Sequence, residues 1–428
     1  MSAPLDYRPP AEQLVETMRR IYRFRMTTTS GGNLSIRDED GVIWITPARV
    51  DKGNLRADDI VAVHPDGRRV GKHPPSSEFP FHKKIYDARP GLRAIVHAHP
   101  VALVAFSMCK QTPDTNVFAK AARVCGEVAF SPYRLPGSEA LGDVIAEGFA
   151  GGANCVMLEN HGVVVGGGSL HGAFKRFETL EFAARSIIRA RTLGGARPLT
   201  AEQVQSARGD VGWPAYDPEP PRTAERQTRS DLAGFVRRGY EQGLMTSTQG
   251  SFSARLDDDA FVINRTNVDR QSLVSGDLCR IDCGRCEAAA APSRAATLHR
   301  AIYQRHPEIT AVVNATPVNA TAFALSGVEL DSRTIPESFV FLRQVQSIPH
   351  ETVFRDPARI AELMSPANPI ALLENDSVLV LGTTVLDAFD RLEVLESTAD
   401  AIVSATQLGE ISPMDDGVIE ELGVAFGL

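Results

Sequence analysis

Apolar residues recur along this chain with two different periods, and these predict its elements. Leu14, Val15, Met18, Ile21 and Tyr22 fall three to four residues apart, which predicts an amphipathic helix over 10–25. Leu34-Ser35-Ile36 and Val42-Ile43-Trp44-Ile45 flank the Asp38–Gly41 turn and predict a hairpin. Asp58–Val63 reads as a further strand. Ser76-Ser77-Glu78 opens a helix that the serines can cap, with Phe81, Ile85 and Tyr86 on one face. Ile95-Val96-His97-Ala98-His99-Pro100 is an apolar strand interrupted by histidines. Helices are expected over Pro100–Met108, Asp114–Val124 and Ser138–Phe149, the last with Ser138 as its N-cap. Cys155–Leu158 and Val163–Val165 are strands, the glycines 166–168 a tight strand-to-helix turn, and Leu170–Arg191 a long helix.

The pattern then repeats. A shift of 217 lays His82-Lys83-Lys84-Ile85-Tyr86 on His299-Arg300-Ala301-Ile302-Tyr303, and Ile95-Val96-His97-Ala98-His99-Pro100 on Val312-Val313-Asn314-Ala315-Thr316-Pro317. A shift of 215 lays Leu158-Glu159-Asn160-His161 on Leu373-Glu374-Asn375-Asp376, and one of 218 lays Val50-Asp51 on Val268-Asp269. So long a period means two homologous domains rather than a solenoid. The expected division is 1–208 and 226–428, joined by a Pro-rich linker over 209–225.

Composition narrows the class. The 428 residues are 43% hydrophobic and 23% charged, ordinary values for a globular protein. A net charge of −8 with both signs interspersed gives no nucleic-acid footprint, and no apolar run approaches a membrane span, so neither partner is expected. Met1–Pro10 has no secretory core, and six scattered cysteines suit reduced thiols, so a cytoplasmic location is expected.

The chemistry centres on His97 and His99. Strand side chains alternate, so both project from one face and can make half of a metal site, or simply pack on a half-buried strand. Around them stand Gly31-Gly32-Asn33-Leu34-Ser35, Ile45-Thr46-Pro47, Ser76-Ser77-Glu78 with His82, Val96–Pro100 and Glu159-Asn160-His161-Gly162. In this order the motifs resemble the class II aldolase/adducin family, over the whole first copy and more weakly over the second. The resemblance implies a three-layer α/β/α sandwich around a largely antiparallel central sheet, duplicated here. It implies that His97, His99 and His161 hold Zn2+ or another divalent transition metal, with one coordination position open. It implies that Glu78 is the acid/base and that Gly32, Asn33, Thr46, Ser76 and Ser77 cradle a substrate phosphate. The expected reaction is aldol cleavage of a small sugar phosphate or sugar acid through a metal-stabilised enediolate. A decarboxylase or epimerase of the same superfamily is the alternative, and a non-enzymatic adducin-like assembly module the alternative outside enzymes.

Two positions depart from the family pattern. Arg49 stands where the aldolase has glycine, and either clamps a substrate anion or is an exposed turn residue. Phe118 stands where the aldolase tyrosine serves the leaving aldehyde. In the second copy Asn314, Thr316, Asp376 and Ala295 replace His97, His99, His161 and Glu78, so that copy is expected to keep the fold without the metal. The family assembles as a tetramer with sites between subunits. A homodimer forming a pseudo-tetramer of domains is therefore expected, with Glu337 either a contributor in trans or a surface or capping glutamate. Cys279, Cys283 and Cys286 contain a CxxC, but no fourth ligand follows at suitable spacing. His82 recurs as His299 and reads as structural.

Overall fold

The structure is a computed structural model describing residues 7–207, 212–287 and 290–428. By compactness it divides into two units: Met1–Thr115 with Lys120–Arg185, and Asn116–Ala119 with Ser186–Leu428.

The first unit is built on eight strands: β1 (Asn33–Arg37), β2 (Ile43–Ile45), β3 (Val61–Val63), β4 (Arg69–Val70), β5 (Ala94–Ala98), β6 (Val128–Ser131), β7 (Cys155–Leu158) and β8 (Gly162–Gly167). Their order is β4-β3-β2-β1-β5-β8-β7-β6. Every pairing is antiparallel except β6 with β7. The helices Phe79–Ala88 and Glu139–Ala150 cover one face, where Phe81, Ile85, Tyr86, Leu141, Ile145 and Phe149 pack on Ile43, Ile95, Val156 and Val164. Helix Pro10–Arg23 packs on β1 and β2. Its buried Arg20 lies over the ring of Phe174 from the long helix Leu170–Thr192, 4.6 Å from the centroid. The result is the α/β/α sandwich with a largely antiparallel sheet.

The second unit repeats this order. Its strands are β9 (Ala215–Tyr216), β10 (Ser251–Asp257), β11 (Ala260–Asn264), β12 (Leu278–Asp282), β13 (Arg285–Glu287), β14 (Ala311–Ala315), β15 (Val345–Ile348), β16 (Ile370–Leu373) and β17 (Ser377–Gly382). The order β15-β16-β17-β14-β10-β11-β12-β13-β9 is that of the first sheet with one strand added at an edge. Even the register recurs: Asn33 faces His97, and Ser251 faces Asn314.

Several local expectations need correction. Asp58 and Asp59 lie in a 3-10 turn, Ala57–Asp59, and the strand begins only at Val61, because the Asp59 side chain turns back to the Arg56 N–H. Asp114–Val124 is not one helix but a 3-10 turn, Thr115–Val117, followed by helix Ala119–Cys125. Gly166 and Gly167 are strand residues whose neighbours leave no room for a side chain. A Cβ on Gly166 would lie 2.8 Å from Leu92, and one on Gly167 2.5 Å from the Ala173 nitrogen. Within the Pro-rich stretch Ala215–Tyr216 pairs in parallel with Cys286–Glu287, and a helix starts at Thr223. Positions 209–211 lie outside the described residues. The strand Val128–Ser131 had no sequence reading. Among the described residues no helix is long and apolar enough to cross a membrane.

Candidate metal centre

His97 sits on β5 at the middle of the first sheet, opposite Asn33 on β1 and Val164 on β8. Its ring is fully buried. Nδ1 donates to the Val163 carbonyl at 2.9 Å, which leaves Nε2 as the free ligand atom. His99 follows two residues on, as the strand period requires, with its Nε2 3.1 Å from that of His97. His161 arrives from the turn joining β7 to β8. That turn closes through the His161 N–H on the Leu158 carbonyl, 3.1 Å, with Asn160 at φ 53°. Asparagine tolerates this left-handed conformation better than most residues. Position 162, just after His161, must be glycine for a different reason: a Cβ on Gly162 would lie 2.6 Å from the Ala98 carbonyl oxygen and 2.7 Å from the His99 ring.

The donor atoms of the three histidines lie within 4.8 Å of one another. Two ligand nitrogens on one tetrahedral zinc stand about 3.3 Å apart, given Zn–N bonds of about 2.0–2.1 Å. The spacing of His97 and His99 matches this, so the residues present fit a divalent ion. This is the cluster of metal-ligating type among the described residues. Cys279 and Cys286 lie instead on the strands of a hairpin, their thiols against the Ile263 and Ala290 carbonyls.

Glu78 stands at the N-cap position of helix Phe79–Ala88, but its side chain caps nothing. It reaches the histidines: Oε2 lies 3.2 Å from His97 Nε2, and Oε1 3.6 Å from His161 Nε2. Asn33 Nδ2 donates to Oε2 at 2.7 Å. Burial pushes the Glu78 carboxyl up, but the charge and hydrogen bond of His97 outweigh it, with help from Asn33 and His161, and hold it well below the usual range. Burial pulls His97 down, yet the Glu78 carboxylate more than reverses this and raises it. Burial, then the charge of His97, pushes His99 down to about 3 and His161 down to about 4. The Glu78 carboxylate thus faces the Nε2 atoms of both His97 and His161.

A buried chain of hydrogen bonds holds Asn33. Its Oδ1 meets His82 Nε2, His82 Nδ1 meets the Ser35 hydroxyl at 2.7 Å, and that hydroxyl meets Tyr86 at 2.8 Å. In the second unit His299 meets Ser253 at 2.7 Å, Ser253 meets Tyr303 at 2.7 Å, and the amide is supplied by Asn314 at 2.8 Å. Asn314 occupies the strand position of His97. His82 therefore belongs to the frame shared by both copies.

The other expected residues are placed as follows. Gly32, at φ 73°, lies so close to β5 that a Cβ would stand 2.7 Å from the His97 carbonyl oxygen. Thr46 is buried, and its hydroxyl accepts from the Leu34 N–H at 3.1 Å. Ser76 is buried and accepts from the Glu78 N–H at 3.3 Å; Ser77 is exposed. Arg49 is exposed with φ 58°, a conformation that favours glycine. Phe118 is buried, in a segment grouped with the second unit. Glu337 is an exposed first-turn residue of helix Pro336–Leu342, also in the second unit. Two residues were missed. Lys52 is buried with its ammonium 2.6 Å from the Pro47 carbonyl. Glu181, on the long helix, is buried and accepts from the Ala102 and Leu103 N–H groups just beyond His99.

The sequence profile described as Class II Aldolase and Adducin N-terminal domain matches residues 12–188 and again 230–403. The chain belongs to the class II aldolase/adducin family. The double match agrees with a tandem duplication of the class II aldolase fold. A 3-oxo-tetronate 4-phosphate decarboxylase of Escherichia coli K12 is 32% identical over 47% of this chain and 99% of its own. An L-fuculose phosphate aldolase of Methanococcus maripaludis is 31% identical over 40% and 93%. The solved structure of YgbL from Klebsiella pneumoniae is 33% identical over 46% and 96%, with a TM-score of 0.42.

In the second class II aldolase-like unit two of the three corresponding positions make internal bonds. Asp376, where the first has His161, pairs with Arg294 at 2.7 Å. Asn314 donates to Ser377 at 3.2 Å.

Proposed function

We propose that the first unit is a divalent-metal-dependent lyase that breaks a carbon–carbon bond in a small phosphorylated sugar-like substrate or sugar acid. The observation that carries this reading is the Glu78 carboxylate standing 3.2 and 3.6 Å from two of three converging histidines. A zinc ion held by His97, His99 and His161 would supply Lewis-acid polarisation of substrate oxygens. Glu78, fixed by Asn33, holds and moves the proton at the carbon that becomes nucleophilic on cleavage. Gly32, Asn33, Thr46, Ser76 and Ser77 surround the place for the substrate's anionic end, where hydroxyls and loop N–H groups suit an oxyanion.

Aldol cleavage is the first reading. Decarboxylation of a 3-oxo acid is the second, favoured by one observation. Aldol cleavage needs a second group to serve the leaving aldehyde oxygen, and the family's tyrosine position is Phe118. Loss of carbon dioxide leaves no such oxygen, so Glu78 alone suffices. The relatives include both enzyme types. The test is product analysis on a panel of ketose phosphates and 3-oxo sugar-acid phosphates, with chelated and zinc-reloaded protein. An aldehyde supports aldol cleavage, carbon dioxide supports decarboxylation, and no metal-dependent product from any member refutes the lyase reading.

A further inference from the structure

The two copies differ at one buried cationic position beside the anion cradle. Lys52 and Arg270 correspond under a shift of 218, and so do their surroundings. The Lys52 N–H binds the Thr29 carbonyl at 3.0 Å, and the Arg270 N–H binds the Ser247 carbonyl at 2.9 Å. Both loops carry a left-handed residue three positions earlier, Arg49 and Asn267, each at φ 58°. Both side chains are almost wholly buried, 3% exposed for Lys52 and 2% for Arg270.

Their bonding differs. Arg270 spends its guanidinium on backbone. Nη2 donates to the Gly250 carbonyl at 3.0 Å and Nη1 to Val268 at 2.6 Å, with longer bonds from Nε to Gly250 and from Nη1 to Arg265, both 3.3 Å. Gly250, Arg265 and Val268 correspond to Gly32, Pro47 and Val50. The Lys52 ammonium has three donors and makes one bond, to the Pro47 carbonyl at 2.6 Å. The loop around it joins the cradle directly: Pro47 bridges to Pro75, and the Ser76 N–H binds the Thr46 carbonyl at 3.2 Å. The Thr27 hydroxyl is buried without a partner and lies beside Gly31 and Gly32, 3.2 Å from where a Cβ on Gly32 would stand. Burial pushes the Lys52 ammonium down to about 8, against an opposing pull from Glu78.

We propose that Lys52 supplies the positive charge that holds the phosphate of the substrate in the first unit, and that Arg270 closes the equivalent place in the second. The ammonium keeps two N–H donors for a phosphate oxygen, whereas a guanidinium there is consumed by carbonyls of its own loop. A phosphate fits this place better than a carboxylate, because the cradle's hydroxyls and the ammonium can be shared among three terminal oxygens. The role rests on the lyase reading's phosphorylated substrate, but it predicts anion binding that needs no turnover.

The test titrates inorganic phosphate into the full chain, with and without zinc, by calorimetry. The wild type, Lys52→Met and Lys52→Arg are compared, with glycolate as the carboxylate probe. Lys52→Met should bind phosphate about tenfold or more weakly, with or without zinc. Lys52→Arg, which keeps the charge and the fold, should lose binding similarly because its donors turn to Gly32, Pro47 and Val50. Phosphate binding by Lys52→Arg equal to wild type overturns the proposal even if Lys52→Met fails to fold. So does a wild type that binds glycolate but not phosphate. If the variants lose phosphate while no lyase activity exists, Lys52 stands and the lyase reading falls. If turnover of a phosphorylated substrate and phosphate binding both survive in the variants, the reverse holds.

Discussion

Replacing Glu181 by Gln should change how the stability of the first unit depends on pH. The carboxylate accepts from the Leu103 N–H at 3.3 Å and from Ala102, at the start of the helix that follows His99-Pro100. It is an internal cap on that helix, and burial pushes its pKa from 4.5 up to about 7, more than these bonds and Arg185 pull it down. Between those two values the native state holds a proton that the unfolded chain has released. The Glu181 contribution to stability is therefore fullest below pH 4.5 and is lost as pH rises through 7. At 1.36 kcal/mol per pKa unit the fall is about 3 kcal/mol. A glutamine keeps the accepting oxygen but cannot ionise, so the variant should match wild type near pH 4.5 and exceed it by about 3 kcal/mol at pH 8. Glu396 caps Asn319 and Ala320 in the second unit in the same way, and its raised pKa is common to both proteins and cancels in the difference. Trp44 lies in the first unit and Trp213 in the second, so urea unfolding in a Trp213→Phe background reads the first unit. Parallel stability curves for the two proteins from pH 4.5 to 8 would refute the reasoning.

Other outcomes follow from the site. Glu78→Gln should keep the fold and the metal but lose turnover by about 10²–10⁴-fold in steady-state assays, because an amide cannot exchange the proton. Arg49→Gly should raise the melting free energy by about 1 kcal/mol by relieving the left-handed φ; an accompanying rise in KM would show that Arg49 also holds substrate. Gly162→Ala should weaken zinc binding about tenfold or more in a chelator competition, since the new methyl displaces the His99 ring or the Ala98 carbonyl; unchanged affinity would mean that the turn moves freely.

The three-histidine cluster was legible because each histidine obeys a short-range rule. His97 and His99 share a face through the strand period, and His161 sits in a turn whose Asn-Gly flanks mark it. The duplication was legible from three local shifts that the sheet register then repeats. Lys52 was not legible: a lysine after a Thr-Pro turn reads as solvated, and only the structure shows that the position is buried. Glu181 was hidden because a glutamate in a long helix usually faces water, and its partners lie some eighty residues earlier. The Asp58–Val63 strand was misplaced because side-chain capping by Asp59 competes with the strand locally. The glycines 166–167 look like a turn in sequence, whereas contacts with Leu92 and Ala173 make them strand residues.

Metal stoichiometry tests the central claim most directly. Purified full-length protein, stripped with chelator and reconstituted with zinc, should hold one ion per chain by elemental analysis. The triple variant His97→Ala, His99→Ala, His161→Ala should hold none while keeping its circular dichroism. Two ions per chain in the wild type, or a full complement in the folded triple variant, would contradict the account.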